Sequence, residues 1–197
     1  MIETAVPTKD LILDAADRMM ARWGFRKMTM DDLAREAGVS RRTIYVYFRS
    51  KQEVGLSSIG RVVENVHSEL ESILASDLPS SAKLRKMLVR RVMGRIEQIA
   101  DYYHSLDELF EVVRPAYMAR RKDFFDREID LIAQAIRRGG FLVDSPSRSA
   151  ETMMLATNAF LPYSLSIREL GAPKDICQRL ESMVDLLIAG LETGQGA

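Results

Sequence analysis

Residues 29–51 read TMDDLAREAGVSRRTIYVYFRSK, and this stretch decides how the rest of the chain is interpreted. Thr29 is a good N-cap for a short amphipathic helix. Gly38 stands where that helix should end, because glycine enters the left-handed conformation without a Cβ penalty. Ser40 is then placed to cap a second helix. The stretch predicts two short helices joined by a tight turn.

The second of these helices carries no acidic residue and has two distinct faces. A step of about 100° per residue brings Ile44 and Phe48 together on an inward face. Arg42, Thr43 and Val46 then point outward. An arginine fork can bind guanine or phosphate, and methyl groups can contact thymine. A solvated surface would explain the charge pattern equally well, but the helix, glycine turn and helix together favour a helix-turn-helix motif.

The longer stretch TMDDLAREAGVSRRTIYVYFRSKQEV resembles the N-terminal signature of the tetracycline-repressor (TetR) family of bacterial transcription regulators, over roughly residues 8–56. The shared features are the AGVS turn, the T-I-Y-x-Y-F recognition helix and the S-K-x-E opening of the fourth helix. Carried over by position, the resemblance implies a DNA-contacting set. That set is Ser40, Arg41, Arg42, Thr43, Tyr45, Val46, Tyr47 and Lys51. Within it, the resemblance assigns Tyr47 and Lys51 to phosphate, and Arg41 and Arg42 to operator choice.

Composition and charge describe an ordinary globular protein with a slightly basic N-terminal end. The chain has 197 residues, 47% hydrophobic and 28% charged, and its formal net charge is zero. Residues 1–51 carry an excess of three positive charges, and the remainder carries the opposite excess. The lone Cys177 cannot form an internal disulfide, and neither a secretory signal nor an apolar run long enough to span a bilayer is visible. These observations predict a cytoplasmic location and no membrane partner.

Apolar residues recur at helical spacing throughout, and no sustained strand-type alternation is present. We predict an all-α fold of about nine helices, with a helix-turn-helix DNA-binding domain over residues 1–52. Residues 53–197 are predicted to form a helical effector-binding and dimerisation domain, with the boundary inside a long fourth helix. A short sixth helix is predicted to stop at Arg114-Pro115. The eighth helix is predicted to run from Pro146 to about Gly171.

Methionine and aromatic residues in the second domain suit an adaptable site for a small apolar or aromatic effector. The candidates are Met87, Met93, Tyr102, Tyr103, Phe110, Tyr117, Phe124, Asn158 and Tyr163. For each of them alone, a plain core role is the simpler interpretation. The arginines at 90, 91 and 95 could neutralise an anionic ligand, but a solvated helix face is expected, and the basic run at 120–122 is interpreted in the same way.

A homodimer is predicted because one short recognition helix reads only a few base pairs, so specificity calls for two half-sites. The resemblance implies dimerisation through the last two helices. The candidate interface residues are Phe160, Leu180, Met183, Val184, Leu187 and Leu191. Periodicity alone cannot distinguish such an interface from a core within one subunit.

Other chemistry finds little support in the sequence. His67 and His104 lack partners at metal-ligand spacing, so we expect no metal and no cofactor. Phosphate-binding loops and nucleophile motifs are missing, so we expect no enzyme. The sequence therefore predicts a repressor released from a palindromic operator by a small molecule. The alternatives are an activator, a regulator controlled by a protein partner, and an enzyme or carrier whose head has lost DNA binding.

Overall fold

The structure is a computed structural model that describes residues 6–161 and 166–193. Over these residues the chain is all-α, as predicted, with nine α-helices, one 3₁₀ segment and no strand. The helices are α1 (Thr8–Trp23), α2 (Met30–Glu36), α3 (Arg41–Tyr47), α4 (Lys51–Ala75), α5 (Ser80–Gln98), α6 (Leu106–Gly139), α7 (Pro146–Asn158), α8 (Ile167–Leu170) and α9 (Pro173–Glu192), and the 3₁₀ segment is Ala100–Ser105. Within the described part of the chain, no helix combines the length and apolar character needed to cross a bilayer.

The helix α6 is longer than the sequence predicted. Pro115 lies inside it, so the predicted stop at Arg114-Pro115 is wrong. A proline removes one backbone N–H and leaves the carbonyl four residues earlier, that of Glu111, without its helical partner. Glu111 and Pro115 are both exposed, so water can bond this carbonyl. The cost of the proline is therefore reduced, and the helix continues to Gly139.

The helix α7 is shorter than predicted. It ends at Asn158, whereas one helix was expected to run to about Gly171. Bonds of the i to i+3 type follow it, from the Phe160 N–H to the Thr157 carbonyl at 3.2 Å and from the Leu161 N–H to the Asn158 carbonyl at 3.1 Å. They tighten the chain out of α geometry. Pro162, which lay inside the predicted helix, is outside the described residues.

The described residues form two compact units. The N-terminal unit contains residues 6–61 and 99–117, and the C-terminal unit contains residues 62–98, 118–161 and 166–193. One division between them falls inside α4, near Arg61. The N-terminal unit extends beyond the predicted DNA-binding domain of residues 1–52, because the 3₁₀ segment packs with α1 and the start of α6 lies against α4. The functional boundary at residue 52 stays a prediction.

A small apolar core holds the N-terminal unit together. Its large buried side chains include Ile12, Met19, Met20, Phe25, Met28, Leu33, Ile44 and Phe48. Gly55 shows how closely the elements approach, since a Cβ there would lie 2.6 Å from the Leu109 Cδ1 atom and 2.9 Å from the Phe25 ring. The start of α6 and the α1–α2 connection therefore lie directly against α4.

In the C-terminal unit, α5 packs against both α7 and α9. Leu84, Leu88 and Val92 of α5 are fully buried, as are Ile176 and other apolar residues of α9 at helical spacing. An ion pair between Arg85 and Asp185, at 2.8 Å, joins the same two helices at the surface. The interior of this unit is not entirely apolar: it also encloses several charged and polar side chains, described below.

Candidate functional site

The turn between α2 and α3 is built by local hydrogen bonds. The Thr29 hydroxyl accepts a bond from the Asp32 N–H at 3.1 Å and caps α2. Gly38 has a φ of 67°, in the left-handed region, and the Val39 N–H returns to the Ala34 carbonyl at 3.0 Å. The Ser40 hydroxyl then accepts from the Thr43 N–H at 3.0 Å and caps α3. The predicted caps and glycine turn are confirmed.

The two faces of α3 are also confirmed. Ile44 and Phe48 are buried, with exposed fractions of 0% and 1%. Val46 on the opposite side is 74% exposed. Tyr45 and Tyr47 are exposed beside it. The outward face of α3 is therefore exposed to solvent.

The charged members of the predicted DNA-contacting set differ in what they already bind. Arg41 holds Asp31 of α2 through its Nε atom at 3.1 Å and its Nη1 atom at 3.2 Å. Arg42 is exposed, and within the described residues it makes no hydrogen bond or ion pair. The ammonium of Lys51 donates to the carbonyls of Phe25 at 3.2 Å and Arg26 at 3.0 Å. Lys51 therefore joins α4 to the connection between α1 and α2, a structural role that the sequence did not reveal.

Ion pairs brace the same unit away from α3. Arg61 of α4 binds Asp14 at 2.6 Å and Asp17 at 2.7 Å, both on α1. Burial raises the pKa of Asp17 although Arg61 opposes the shift. The Arg26 N–H donates to the Glu108 carboxylate at 3.2 Å. Within the N-terminal unit, these contacts connect α1 to α4 and the α1–α2 connection to α6.

The candidate effector residues are divided between the two units. Tyr102, Tyr103, Phe110 and Tyr117 belong to the N-terminal unit, where the Phe110 and Tyr117 rings meet edge to face at 5.7 Å. Met87, Met93, Phe124 and Asn158 belong to the C-terminal unit. Tyr163 lies outside the described residues. The effector-binding set stays a prediction.

The interior of the C-terminal unit holds a polar cluster that the sequence interpretation missed. Arg91 and Arg95 were expected on a solvated face, and that expectation is wrong: their side chains are 0% and 11% exposed. Both bind Glu128 of α6, which is 1% exposed; the Arg91 Nε atom lies 2.7 Å from its Oε2 atom and Arg95 binds Oε1. Only Arg90, paired with Glu69 and Glu97, stays near the surface.

Residues at the end of α7 complete this cluster, which we call the polar core and define as Arg91, Arg95, Glu128, Thr157 and Asn158. Arg91 donates through Nη1 to the Thr157 hydroxyl at 2.8 Å and through Nη2 to the Asn158 Oδ1 atom. Burial disfavours the charge on Glu128, but Arg95 and Arg91 outweigh this effect and hold the pKa of its carboxyl below the usual range. The cluster is thus ionised and joins α5, α6 and α7.

The basic run at 120–122 divides in a similar way. Arg120 and Lys122 are exposed, whereas Arg121 is half-buried and stacks on the Phe125 ring, 4.2 Å from its centroid. The guanidinium of Arg91 lies 5.5 Å from the centroid of the same ring. The burial of residues 91 and 95 is compatible with their spacing in the sequence, because each directly precedes an apolar residue of the buried α5 stripe.

The predicted dimer residues are mostly buried within the chain. Phe160, Leu180, Val184 and Leu191 are between 0% and 7% exposed, and Met183 and Leu187 are half-buried. The exposed apolar residues nearby are Leu155 of α7 and Leu186 of α9, at 62% and 75%. Leu186 lines a groove of ≈ 400 Å³ whose walls come from α7 and α9. The interface stays a prediction, and these two leucines extend it.

Among the described residues, no group of three or more His, Cys, Asp or Glu side chains is placed to hold a metal ion. Cys177 is a free, half-buried thiol whose pKa is raised by burial and by Glu181.

Comparison with known proteins identifies the N-terminal segment. Residues 12–55 match the profile described as "Bacterial regulatory proteins, tetR family". The chain is 37% identical over 76 residues to an uncharacterized HTH-type transcriptional regulator of Haemophilus influenzae, covering 39% of this chain and 41% of that protein. It is 38% identical over 65 residues to the regulator EthR of Mycolicibacterium smegmatis, covering 33% and 30%. The match thus spans less than half the length of these relatives.

Two broader matches extend beyond the N-terminal segment. The activator FasR of Mycolicibacterium smegmatis is 28% identical over 127 residues, covering 64% of this chain and 58% of that protein. A transcriptional regulator from Cytophaga hutchinsonii has the same fold, with a TM-score of 0.76, 18% identity and coverage of 93% of this chain and 97% of that one. For the TetR-family regulator PfmR from Thermus thermophilus, the TM-score is 0.61 and the identity is 19%, with coverage of 95% of this chain and 98% of that one. Residues 12–55 therefore carry the N-terminal signature of the TetR family of bacterial regulatory proteins, and the chain has the same fold as regulators of known structure.

Proposed function

We propose that the chain is a sequence-specific DNA-binding regulator of transcription that acts as a homodimer and places α3 in the major groove. One observation carries this proposal: α3 and its C-cap bury Ile44 and Phe48, and the outward face has exposed arginine, tyrosine and valine, a half-buried Thr43 and no acidic residue. Such a face suits both the negative backbone and the base edges of DNA. In this proposal, residues 1–52 bind DNA and residues 53–197 receive the signal.

Each part of the face has a distinct proposed contact. Arg42, which has no partner among the described residues, is free to direct its guanidinium at guanine or phosphate. Thr43 and Val46 supply methyl groups for thymine. Tyr47 and the capped start of α3 at Ser40 are placed for phosphate. Arg41 would have to leave Asp31, so its contribution includes the loss of an exposed ion pair.

Lys51 is proposed to serve in two ways. Its ammonium has three N–H donors, and two of them are directed at the carbonyls of Phe25 and Arg26. The third remains for a phosphate oxygen. A substitution at Lys51 would thus weaken both DNA binding and the packing of the N-terminal unit, so it is a poor test of DNA contact alone.

The dimer is proposed to form through α7 and α9 of each subunit. Leu155 and Leu186 expose apolar surface to solvent. A second copy of the chain would cover this surface. Two recognition helices could then read a palindromic operator, with half-sites about one helical turn or a multiple of it apart. A regulator of chromosomal genes would work in the cytoplasm.

The effector is proposed to be a small molecule that binds the C-terminal unit and lowers affinity for DNA. Such coupling requires that the molecule bind two conformations unequally, with a typical difference of about 1–3 kcal/mol. The alternative is an activator or a regulator that answers to a protein partner. The match to FasR, which is an activator, supports activation as the alternative to repression.

Selection of bound sequences from random duplex DNA tests the proposal. The purified chain should recover an inverted repeat, and Arg42→Ala should relax the preference at one position of each half by about 1–3 kcal/mol. Lys174→Ala is a matched control, because it removes an exposed positive charge at the start of α9. Failure to recover any repeated sequence, with both proteins folded, would overturn the proposal.

A further inference from the structure

Three buried polar atoms of the N-terminal unit have no hydrogen-bond partner among the described residues. They are the Oδ1 atom of Asp17 on α1, the hydroxyl of Ser58 on α4 and the hydroxyl of Tyr102 in the 3₁₀ segment. Ser58 and Tyr102 are 0% and 1% exposed, and the Asp17 Oδ1 atom is itself enclosed. Buried polar groups in proteins are normally hydrogen-bonded, so three such atoms in one small unit indicate a partner from outside the chain.

The helix α1 and the 3₁₀ segment pack side by side. The Ser105 hydroxyl of the 3₁₀ segment donates to the Met20 carbonyl of α1 at 3.4 Å. Farther along both segments, Gly24 lies beside Glu108, since a Cβ on this glycine would lie 3.0 Å from the Glu108 Oε2 atom. The order of these two contacts shows that the segments run in the same direction.

This alignment places Asp17 beside Tyr102, because each stands three residues before the first of these contacts. Burial raises the pKa of Tyr102, and the Asp17 carboxylate raises it further, as a nearby negative charge does. Ser58 stands one turn before Arg61 on α4, and the Arg61 Nη2 atom lies 2.7 Å from the Asp17 Oδ2 atom. Burial raises the pKa of Asp17, while Arg61 and the Ser58 hydroxyl act to lower it. The three atoms therefore lie in one place, which we call the hydroxyl site and define as Asp17, Ser58 and Tyr102.

The chemistry of the hydroxyl site selects a small neutral molecule. Ser58 and Tyr102 each have one O–H to donate, whereas the Asp17 Oδ1 atom can only accept. A cation could not accept from the hydroxyls, and the adjacent Arg61 would repel it. An anion would lie against the Asp17 carboxylate. A molecule that accepts twice and donates once satisfies all three groups, and water does so with the three hydrogen bonds that are typical of buried water.

We propose that the hydroxyl site binds one water molecule, which joins α1, α4 and the 3₁₀ segment. Neither hydroxyl donates to the Asp17 Oδ1 atom directly, so the water supplies contacts that the protein does not make by itself. A buried water with three partners is costly to remove. It therefore holds the 3₁₀ segment, which directly precedes α6, against α1. The proposal concerns the N-terminal unit alone and does not depend on DNA binding.

Two conservative variants measure what the shared water contributes. Tyr102→Phe and Ser58→Ala each remove one hydroxyl, and each should lower the melting temperature by about 1–6 °C, because a buried hydrogen bond is lost. The double variant should lose less than the sum of the two, since both hydroxyls act through the same molecule. Ser72→Ala is the matched control: it makes the same change at an exposed position of α4, and its effect should add to that of Tyr102→Phe. Strictly additive losses for Ser58→Ala and Tyr102→Phe would overturn the shared water.

A crystal structure of the full chain, at a resolution that shows ordered water, tests the site directly. We expect one water oxygen at about 2.5–3.2 Å from the Asp17 Oδ1 atom and from the hydroxyl oxygens of Ser58 and Tyr102. A direct hydrogen bond from Tyr102 to Asp17, with no water between them, would overturn the proposal. A metal ion or any larger molecule bound to these three atoms would overturn it as well.

Discussion

Replacing Glu128 with glutamine would leave Arg91 and Arg95 buried with no carboxylate between them. Glutamine has nearly the same shape, so the change removes charge without opening a cavity. Both carboxylate oxygens of Glu128 are engaged, one by each arginine, and an amide can accept on only one side. The other side would present N–H donors to an arginine. The C-terminal unit should therefore lose much of its stability.

The expected loss of unfolding free energy follows from the burial of Glu128, Arg91 and Arg95. Glu128 is 1% exposed and its partners are 0% and 11% exposed, so solvent screening is weak. Removing one partner of a buried charged pair costs about 3–5 kcal/mol of unfolding free energy. For a chain of this size that corresponds to a melting temperature lower by roughly 6–20 °C. Replacing all three residues with apolar ones of similar size should restore most of the stability, because no buried charge is then left unpaired.

Urea unfolding followed by circular dichroism measures this difference. Glu64→Gln is a matched control, because Glu64 pairs with the neighbouring Arg127 at 2.7 Å, but with both side chains about half exposed. An exposed pair contributes about 0–1 kcal/mol. If the two glutamine variants lay within about 1 kcal/mol of each other, the polar core would not be the buried, charged cluster described here.

We expect the difference in stability between the wild-type chain and Glu128→Gln to depend on pH. The arginines lower the pKa of Glu128 in the folded chain, although burial opposes them. Its contribution to stability is therefore fully present above the ordinary glutamate value of about 4.3 and is lost as the pH falls through the lower folded value. The difference in unfolding free energy between the wild-type chain and Glu128→Gln should narrow below about pH 4. A constant difference down to pH 2 would show that Glu128 is not ionised at neutral pH.

Three further changes test other parts of the structure. Gly38→Ala should lower the free energy of unfolding by about 1 kcal/mol because φ is 67° there. Gly60→Ala, inside α4 with equal room for a Cβ, should leave stability unchanged or raise it. Thermal melts measure the sign of the change in melting temperature for each variant. Ser40→Ala should remove the cap of α3, lower stability by about 1 kcal/mol and weaken DNA binding, measured by melting and by fluorescence anisotropy. Leu186→Arg should convert the dimer to monomers in sedimentation at unchanged helical content, while Leu11→Arg, at an exposed leucine of α1, should leave the dimer intact. A monomeric wild-type chain, or a dimer that survives Leu186→Arg, would move or remove the proposed interface.

The helix-turn-helix could be predicted closely because its determinants are local. Caps act within three residues, the glycine turn depends on one φ angle, and the inward pair on α3 follows from helical phase. The structure has Thr29, Gly38 and Ser40 in the predicted roles. The same reasoning failed at Pro115, because whether a proline ends a helix depends on where the freed carbonyl finds a partner, and that is a property of the surroundings.

The sequence by itself determined the all-α class, the turn at Gly38 and the division of α3 into a buried and an exposed face, since each depends on residues a few positions apart. Only the tertiary structure decided what the charged residues do. It turned Lys51 towards two carbonyls, and it enclosed Arg91 and Arg95 around Glu128, more than thirty residues away. Charge at a helix position is compatible with solvent or with burial, and the choice depends on whether the fold brings a distant partner close enough to offset the loss of hydration.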